Sequence, residues 1–410
     1  MNIVHIIGNG FDLNHGLPTS YAHFYEYYFQ LVPKEDEPEV VKDFRAKLRD
    51  KVINRRTELW ADLEKTLGEL TAEFKTVEEY ETVYLDVYTH LMEYLNRVYQ
   101  HSEVAKYDEP EKSFFRDLGA PWLYLINADK AKIERYIPKN EDTHVSIIIF
   151  NYTDTINRVS DIYAKAGQVI GQHQNSRIYF DGCNYIHHTL RGKDIVLGVD
   201  NMDQIANKSF RDDVRIQNYL IKPQTNIALG TLVDDSCKKT INEARIICIF
   251  GMSIGETDKT WWRMIGKKLV SDKNACVIYY PFVKEVSNEL PIRYPQIRNY
   301  YIDLLMGMME LNAHDTKQRL FVNFCNLPGQ ANIFANPKRK NVNDNFDNVM
   351  AKFQKEGKII KPNLNRTPFD LEITPPIIES PLFRSRIYQE RIPTYNLQKY
   401  DKMPQNKAKK

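Results

Sequence analysis

Four short apolar runs, the first three followed directly by a glycine or an asparagine, recur along the chain and predict buried β-strands. They are NIVHII at 2–7, VSIIIF at 145–150, RIICIF at 245–250 and ACVIYY at 275–280. Continuous apolar runs of this length are typical of parallel strands that are covered on both faces. Helical segments between them complete strand–helix–strand units, so the pattern predicts an α/β protein with a parallel sheet.

A different pattern, in which apolar side chains recur at helical spacing, fills the region from about 38 to 135. Stripes of this kind with charged outer faces predict amphipathic helices. We therefore expect a discontinuous core, 1–37 and 136–330, interrupted by a helical insertion at 38–135. Prolines punctuate the C-terminal extension, 331–410, for which we expect an extended and partly disordered chain. The helical stripes are Val41, Phe44, Leu48 and Val52; Trp60, Leu63, Leu67, Leu70 and Phe74; and Tyr80, Tyr84, Val87, Leu91, Tyr94 and Val98.

Composition narrows the class of protein. Hydrophobic residues make up 42% of the chain and charged residues 27%, as in ordinary globular proteins, and the net charge of +2 disfavours nucleic acid as a partner. There is no apolar run of about 18 residues and no signal-peptide pattern, so we expect a cytoplasmic protein without a membrane span. Five cysteines without a CxxC pair fit a reducing compartment, and no metal site is expected.

The first candidate motif, GNGFDLNHGLPTSY, begins directly after the first predicted strand. Gly8 and Gly10 would let the backbone turn sharply and approach a phosphate closely. Asp12 and His15 are the polar groups of the loop, and Pro18 stiffens the entry to the next helix. A tight turn from strand to loop, without any ligand, is the structural alternative.

The second candidate motif, FNYTDTIN, places Asn151 at the carboxyl end of a predicted strand. Open α/β sheets bind ligands at this edge, and an amide that both donates and accepts could orient a ribose hydroxyl or a water molecule. The alternative is a helix cap, because Asn151, Thr153 and Asp154 are all good N-cap residues.

The third candidate motif contains the adjacent histidines His187 and His188. Histidine titrates near neutral pH and is a natural proton acceptor. Neighbours on a strand point to opposite faces, so at most one of the two enters a given site. A packed or surface histidine without a catalytic role is the alternative interpretation.

The fourth candidate motif, IFGMSIGETD, repeats the strand-to-glycine turn of the first. Gly251 ends an apolar strand, and Ser253 and Gly255 follow it. Glu256 and Asp258 suit the first turn of a helix, where they could be simple capping charges. We expect the four motifs to converge on one pocket at the carboxyl edge of the sheet.

Taken together and in this order, the four segments resemble the motifs of the AbiH family of bacteriophage abortive-infection proteins, over residues 1 to about 280. The first segment is similar to the AbiH signature along its whole length. The order also resembles the sirtuin pattern of a glycine turn, Gly-Leu-Pro, an asparagine at a strand end, a catalytic histidine and a Gly-x-Ser loop. The matching residues are Gly8, Gly10, Gly16, Leu17, Pro18, Asn151, His187, Gly251, Met252 and Ser253.

This resemblance implies a Rossmann-like, sirtuin-type core that holds NAD and cleaves the bond between nicotinamide and ribose, which stops growth of the infected cell. Asn151 and His187 would be catalytic, holding the ribose or the attacking water and accepting a proton. No metal is implied, and the absence of the sirtuin cysteine pairs argues against protein deacetylation. The residues implied to bind the cofactor are Gly8, Asn9, Gly10, Phe11, Asp12, Pro18, Asp154, Gly251 and Ser253.

Two other functions remain open at the level of the sequence. The pocket could sense a nucleotide without cleaving it and act through a partner protein. A nuclease using Asp12, Asp154, His187 and Asp258 would require a divalent metal, and the low net charge gives it little support. For any effector that stops growth we also expect a phage-derived trigger, control by the helical insertion, or control by assembly of the chain into a homo-oligomer.

Overall fold

The protein is described here from a computed structural model that covers residues 1–54, 63–104, 106, 114–160, 166–192, 194–281, 294–312, 314–324 and 341–360. Within these residues the chain forms one large sheet and one small two-stranded sheet. The strands are β1 (Asn2–Ile7), β2 (Thr143–Ile149), β3 (Gln168–His173), β4 (Ser176–Tyr185), β5 (His188–Thr189), β6 (Asp194–Ile195), β7 (Ile246–Phe250), β8 (Cys276–Tyr280) and β9 (Leu320–Val322).

Helices cover both faces of the sheet in the described residues. They are α1 (Gly10–Asn14), α2 (Tyr21–Tyr28), α3 (Glu39–Asn54), α4 (Leu63–Leu70), α5 (Val77–His101), α6 (Phe114–Gly119), α7 (Asn127–Ile133), α8 (Thr155–Ser160), α9 (Lys208–Arg211), α10 (Val214–Leu220), α11 (Lys222–Ala228), α12 (Val233–Glu243), α13 (Lys259–Ser271), α14 (Tyr294–Met308), α15 (His314–Lys317) and α16 (Val342–Lys355). Six short 3₁₀ turns, among them Glu256–Asp258 before α13, also lie in the described residues.

The large sheet has the strand order β3-β4-β2-β1-β7-β8-β9 and is parallel except for the edge strand β3. The expected mostly parallel α/β sheet is therefore confirmed, and the four apolar runs form β1, β2, β7 and β8. In the central register Ile7 pairs with both Ile149 and Phe250. The chain consequently leaves β1, β2 and β7 at the same level of the same edge.

Both faces of the sheet are covered by helices. On one face, apolar side chains of α12, α13 and α14 pack on Val4, Ile148 and Ile249. On the other, α6, α7 and α8 pack on Ile147 and Cys248. The sequence pattern grouped α6 and α7 with the helical insertion, whereas the structure packs them on the sheet, because Phe114, Leu118 and Ile133 are apolar on the side that the sheet covers.

A second core, which we call the helical cluster, joins α2, α3, α4 and α5 to residues 190–221 and to α16. Ser20 caps α2 by accepting from the backbone N–H of His23 at 3.3 Å, as its position predicts. α16 shows that the C-terminal extension contributes a packed helix, with Phe346 and Phe353 buried in the cluster. The proline-rich residues 361–410, for which an extended chain was predicted, lie outside the described residues.

Candidate functional site

A pocket opens at the carboxyl ends of β1, β2 and β7 and reaches up to the helical cluster. It encloses about 1070 Å³, counting the part that is open to solvent. All four sequence motifs contribute to it, since residues 8, 151, 187 and 251 lie in one lining. The residues that line it are Gly8, Asn9, Gly10, Asp12, Leu13, Thr19, Ser20, Tyr21, Glu64, Leu91, Leu95, Phe150, Asn151, Tyr152, Thr153, His187, Gly251, Met252, Ser253, Thr257 and Asp258.

The glycines of the first and fourth motifs pack backbone against backbone. Gly8 N–H donates to the carbonyl of Phe250 at 2.9 Å, and Gly10 N–H donates to that of Gly251 at 2.8 Å. A Cβ at Gly10 would lie 2.5 Å from the Cα of Gly251, which itself has a φ of +66°. Close approach of the two loops therefore requires glycine here, and the N–H groups of Gly8 and Gly10 are already engaged within the protein.

Asn9 ties the first glycine turn to the segment that leads into α2. The hydroxyl of Thr19 donates to Asn9 Oδ1 at 2.6 Å, and Asn9 Nδ2 donates to the Thr19 carbonyl at 3.2 Å. The turn is thus fixed on one side by Gly251 and on the other by Thr19, so its backbone is held rigidly at the base of the pocket.

Asp12 is a buried carboxyl that joins the ends of β1 and β2. Its carboxylate accepts hydrogen bonds from Asn151 Nδ2 at 2.9 Å and from the hydroxyl of Thr153. Burial raises the pKa of Asp12 to about 6, although these hydrogen bonds act in the opposite direction. The side chain of Asn151 therefore bonds to Asp12, in place of the helix cap considered from the sequence. Its other amide atom, Oδ1, is buried and has no hydrogen-bond partner among the described residues.

His187 stands beside the same pocket, between two aromatic rings. Its ring meets that of Phe150 edge-on at a centroid distance of 5.3 Å and lies 6.2 Å from that of Tyr152. Burial lowers the pKa of His187 well below its ordinary value, and the nearby charges of Lys222 and His188 lower it further. The imidazole is therefore neutral at physiological pH and can accept a proton. His188, with a φ of +59°, begins β5 and lies outside the pocket lining.

A charge cluster of buried Glu64, buried Lys222 and half-buried Asp258 lies beside the pocket, with Glu64 and Asp258 in its lining. Lys222 Nζ donates to Glu64 Oε2 at 2.8 Å and to Asp258 Oδ1 at 3.1 Å. The hydroxyls of Tyr21 and Tyr152 donate to Glu64 Oε1 at 3.0 and 2.8 Å. Burial alone would lower the pKa of Lys222, but the charges of Asp258 and Glu64 outweigh it and raise that pKa, so the ammonium stays charged.

Sequence reasoning missed two members of this cluster. Lys222 lies at the start of α11 with no motif around it. Glu64 carried a usable signal, because it stands three residues before Leu67 on the apolar stripe of a predicted helix, where a carboxylate is unexpected. Asp258 was considered as a helix cap or a nuclease ligand, whereas its carboxylate faces Lys222 and the pocket.

Three residues that the family resemblance assigns to the cofactor do not line the pocket. The ring of Phe11 packs edge-on against that of Phe250 at 6.2 Å, and the carbonyl of Pro18 accepts from the hydroxyl of Tyr94 at 2.7 Å. The carboxylate of Asp154 is held away from the pocket by Arg191 Nη1 at 2.8 Å, and it also accepts hydrogen bonds from the side chains of Tyr185 and Asn157.

The position of Asp154 bears on the nuclease alternative. That hypothesis requires Asp12, Asp154, His187 and Asp258 at one site, but Asp154 is separated from the other three, which line the pocket. In the described part of the chain, no group of three or more His, Cys, Asp or Glu side chains is arranged to hold a metal ion. The described geometry therefore gives a divalent-metal mechanism no support.

Comparison with known proteins identifies the family. The model of the family described as Bacteriophage abortive infection AbiH matches residues 4–280, which include every residue of the pocket lining. The chain matches no curated protein. None of the helices that the structure describes is both long enough and apolar enough to cross a bilayer. The chain belongs to the AbiH family, and this membership indicates a role in abortive infection, a defence against bacteriophages.

Proposed function

We propose that this defence protein binds NAD in the pocket and hydrolyses the bond between nicotinamide and ribose. The observation that carries the proposal is the convergence of Asn151, His187 and three carboxylates on one pocket at the carboxyl edge of the sheet. The fold, the electrostatics of the pocket and the unpaired polar atoms within it each support this function.

The strand order supports a dinucleotide as the ligand. Counted along the chain, the six parallel strands lie in the order 3-2-1-4-5-6, which is the order of Rossmann folds. Such sheets bind dinucleotides where the strand order reverses, between the first and fourth parallel strands. Here those strands are β1 and β7, and the pocket lies on the loops that follow them.

The charges of the pocket suit a cationic transition state. Glu64 and Asp258 share a single buried ammonium, that of Lys222, and the carboxyl of Asp12 lines the same pocket. When the bond from C1′ to the pyridinium nitrogen breaks, its electron pair neutralises the nicotinamide ring and positive charge moves to the ribose. Fixed carboxylates in a site shielded from water stabilise that charge more than they stabilise the separated reactants.

The two implied catalytic residues have roles that fit their environment. Asn151 Oδ1, whose amide is fixed by Asp12, can accept a hydrogen bond from a ribose hydroxyl or from the attacking water. The water oxygen bonds to C1′ and its proton passes to His187, which gives ADP-ribose, nicotinamide and one released proton. A weak neutral base suffices, since water adding to an oxocarbenium carbon becomes strongly acidic.

The pyrophosphate would lie towards the mouth of the pocket. The N–H groups of Gly8 and Gly10 are used between the loops, so they are not available as phosphate donors in this conformation. Ser253 lines the pocket and is exposed, which places a hydroxyl donor where the phosphates would leave the site. The nicotinamide riboside end would then occupy the deep, carboxylate-lined part.

The test is incubation of the purified full-length protein with NAD, followed by chromatographic separation of nicotinamide and ADP-ribose. Asn151→Ala and His187→Ala should each reduce product formation by roughly a hundredfold, as expected for loss of a positioned catalytic group. His314→Ala, at an exposed histidine of α15, is the matched control and should retain activity.

The same variants should be compared in phage-infected cells, where any trigger is present, by measuring the cellular NAD concentration. NAD should fall after infection with the unaltered protein and persist with Asn151→Ala and His187→Ala. Tight NAD binding without products in either setting would favour the alternative, a nucleotide-sensing module that acts through a partner.

A further inference from the structure

A row of buried polar groups leads from the helical cluster to the imidazole of His187. Glu64 Oε2 accepts from Lys222 Nζ at 2.8 Å, and the same ammonium donates to Asp258 Oδ1 at 3.1 Å. That oxygen of Asp258 lies 4.0 Å from His187 Nε2. The four residues come from α4, from the start of α11, from the turn before α13 and from the segment between β4 and β5, so only the tertiary fold brings them together.

The two nitrogens of His187 have different surroundings. Nε2 faces the carboxylate of Asp258, whereas Nδ1 is buried and has no hydrogen-bond partner within the described part of the chain. A neutral imidazole has one N–H donor and one lone pair, and a neighbouring anion favours the N–H on the nitrogen that faces it. The carboxylate therefore favours a proton on Nε2 and a free lone pair on Nδ1.

We propose that Asp258 is a positioning residue for His187, which it holds with the proton on Nε2 and with Nδ1 ready to accept a proton from the reactants. Lys222 fixes the carboxylate of Asp258, and Glu64 fixes Lys222. The inference rests on the proposed function, in which His187 is the proton acceptor. The 4.0 Å separation closes to a hydrogen bond when the substrate fills the pocket, as catalytic contacts commonly do.

Each neighbour of His187 has a distinct effect in this arrangement. The carboxylate of Asp258, 4.0 Å from Nε2, attracts a proton to the imidazole. Lys222 and His188 repel one, and Tyr152 and Phe150 exclude water from the ring. Tyr21 and Tyr152 hold Glu64, so the helical cluster contributes directly to the state of the catalytic imidazole. Loss of Asp258 should leave the imidazole neutral and weaken its preference for a proton on Nε2.

The experiment is nitrogen NMR of the full-length protein with ¹⁵N-labelled histidine, in which the signals of His187 are identified by their loss in His187→Gln. The unaltered protein should have its proton on Nε2. Asp258→Ala should lower the fraction of His187 that carries its proton on Nε2, whereas Asp235→Ala, at an exposed aspartate of α12, should leave the His187 signals unchanged. In the NAD assay, Asp258→Ala should lower kcat by roughly tenfold to a hundredfold with KM nearly unchanged.

A proton on Nδ1 in the unaltered protein would overturn the inference, and so would an unchanged tautomer in Asp258→Ala. If Asp258→Ala fails to fold, Asp258→Asn, which keeps the shape of the side chain and removes its charge, gives the same comparison of tautomers. If the unaltered protein binds NAD but releases no nicotinamide in vitro or in infected cells, the proposed function fails. The NMR result would still establish or refute the positioning of His187.

Discussion

The two walls of the pocket are held in place by different forces. The glycine wall, formed by Gly8, Gly10 and Gly251, is fixed by sterics, because two loops approach so closely that a Cβ would enter a neighbouring backbone. The charged wall, formed by Glu64, Lys222 and Asp258 with His187, is fixed by buried ion pairs. An added side-chain atom should therefore disturb the glycine wall, whereas a change of charge should disturb the charged wall.

The residues that form the pocket also change the expected role of the helical insertion. Glu64 of α4 and Leu91 and Leu95 of α5 line the pocket, so the insertion builds part of the site. Control of activity by the insertion remains a prediction. However, removing the segment would also remove one member of the charged wall, so a truncated protein cannot separate regulation from loss of the site. Single substitutions in each wall are the sharper approach.

The largest effect is expected from Lys222→Met in the charged wall. Removing the ammonium leaves the buried carboxylate of Glu64 and the half-buried carboxylate of Asp258 without the cation that they share. Breaking a buried ion pair from one side costs about 3–5 kcal/mol, so the free energy of unfolding measured in urea should fall by that amount. Lys238→Met removes an exposed lysine paired with Asp235 and should change the free energy of unfolding by less than about 1 kcal/mol.

The double variant Glu64→Gln with Lys222→Met sharpens this test. It removes one of the two stranded charges, so its loss of stability should be smaller than the sum of the two single losses. Equal losses for Lys222→Met and Lys238→Met would show that ion pairing does not hold the charged wall together.

The next effect concerns Asp12, which lies between the two walls. Its pKa in the folded protein is about 6, above the ordinary value of 3.8, so between these pH values the folded state binds more protons than the unfolded state. Stability should then fall as pH rises from about 4 to about 6, by about 3 kcal/mol in total. Asp12→Asn should remove this component, which is measured as the difference in unfolding free energy between the two proteins across that range.

A matched variant tests the cause of the shift at Asp12. The hydroxyl of Thr153 lowers the pKa of the carboxyl by donating to it, so Thr153→Ala should move the fall in stability to higher pH. Burial lowers the pKa of the His5 imidazole to about 4, so this group makes the stability rise as pH increases, in the opposite direction to Asp12. His5 is present in every protein compared, so its effect cancels when the unfolding free energies are subtracted. A difference between unaltered protein and Asp12→Asn that does not vary with pH would refute the assignment.

In the glycine wall, Gly10→Ala should destabilise the protein by about 1–3 kcal/mol, as overpacking does elsewhere. The added methyl would lie 2.5 Å from the Cα of Gly251, and backbone cannot move aside as a flexible side chain can. Gly192→Ala is the control, because a Cβ there meets no described atom within 4 Å. Thermal unfolding of the two variants gives the comparison, and equal midpoints would mean that the loops separate easily.

The sequence predicted the glycine wall far better than the charged wall, for a physical reason. Continuous apolar runs identify β1, β2, β7 and β8, and each glycine turn directly follows its strand, so both are local features. β9 is only three residues long and β3 is a partly exposed antiparallel edge, so neither gives a clear apolar run. The charged wall joins Glu64, Lys222 and Asp258 from distant parts of the chain, and local spacing does not reveal such a contact.

The smallest effect is expected from Ser253→Ala, at the exposed mouth of the pocket. Ser253 follows the glycine wall but is itself solvent-accessible, so its loss should change the free energy of unfolding by less than about 0.5 kcal/mol. If the hydroxyl donates to a phosphate of NAD in the ground state and the transition state alike, KM should rise by roughly twofold to tenfold while kcat stays constant. A fall in kcat with constant KM would place Ser253 beside the reacting ribose and reverse the proposed direction of the nucleotide in the pocket.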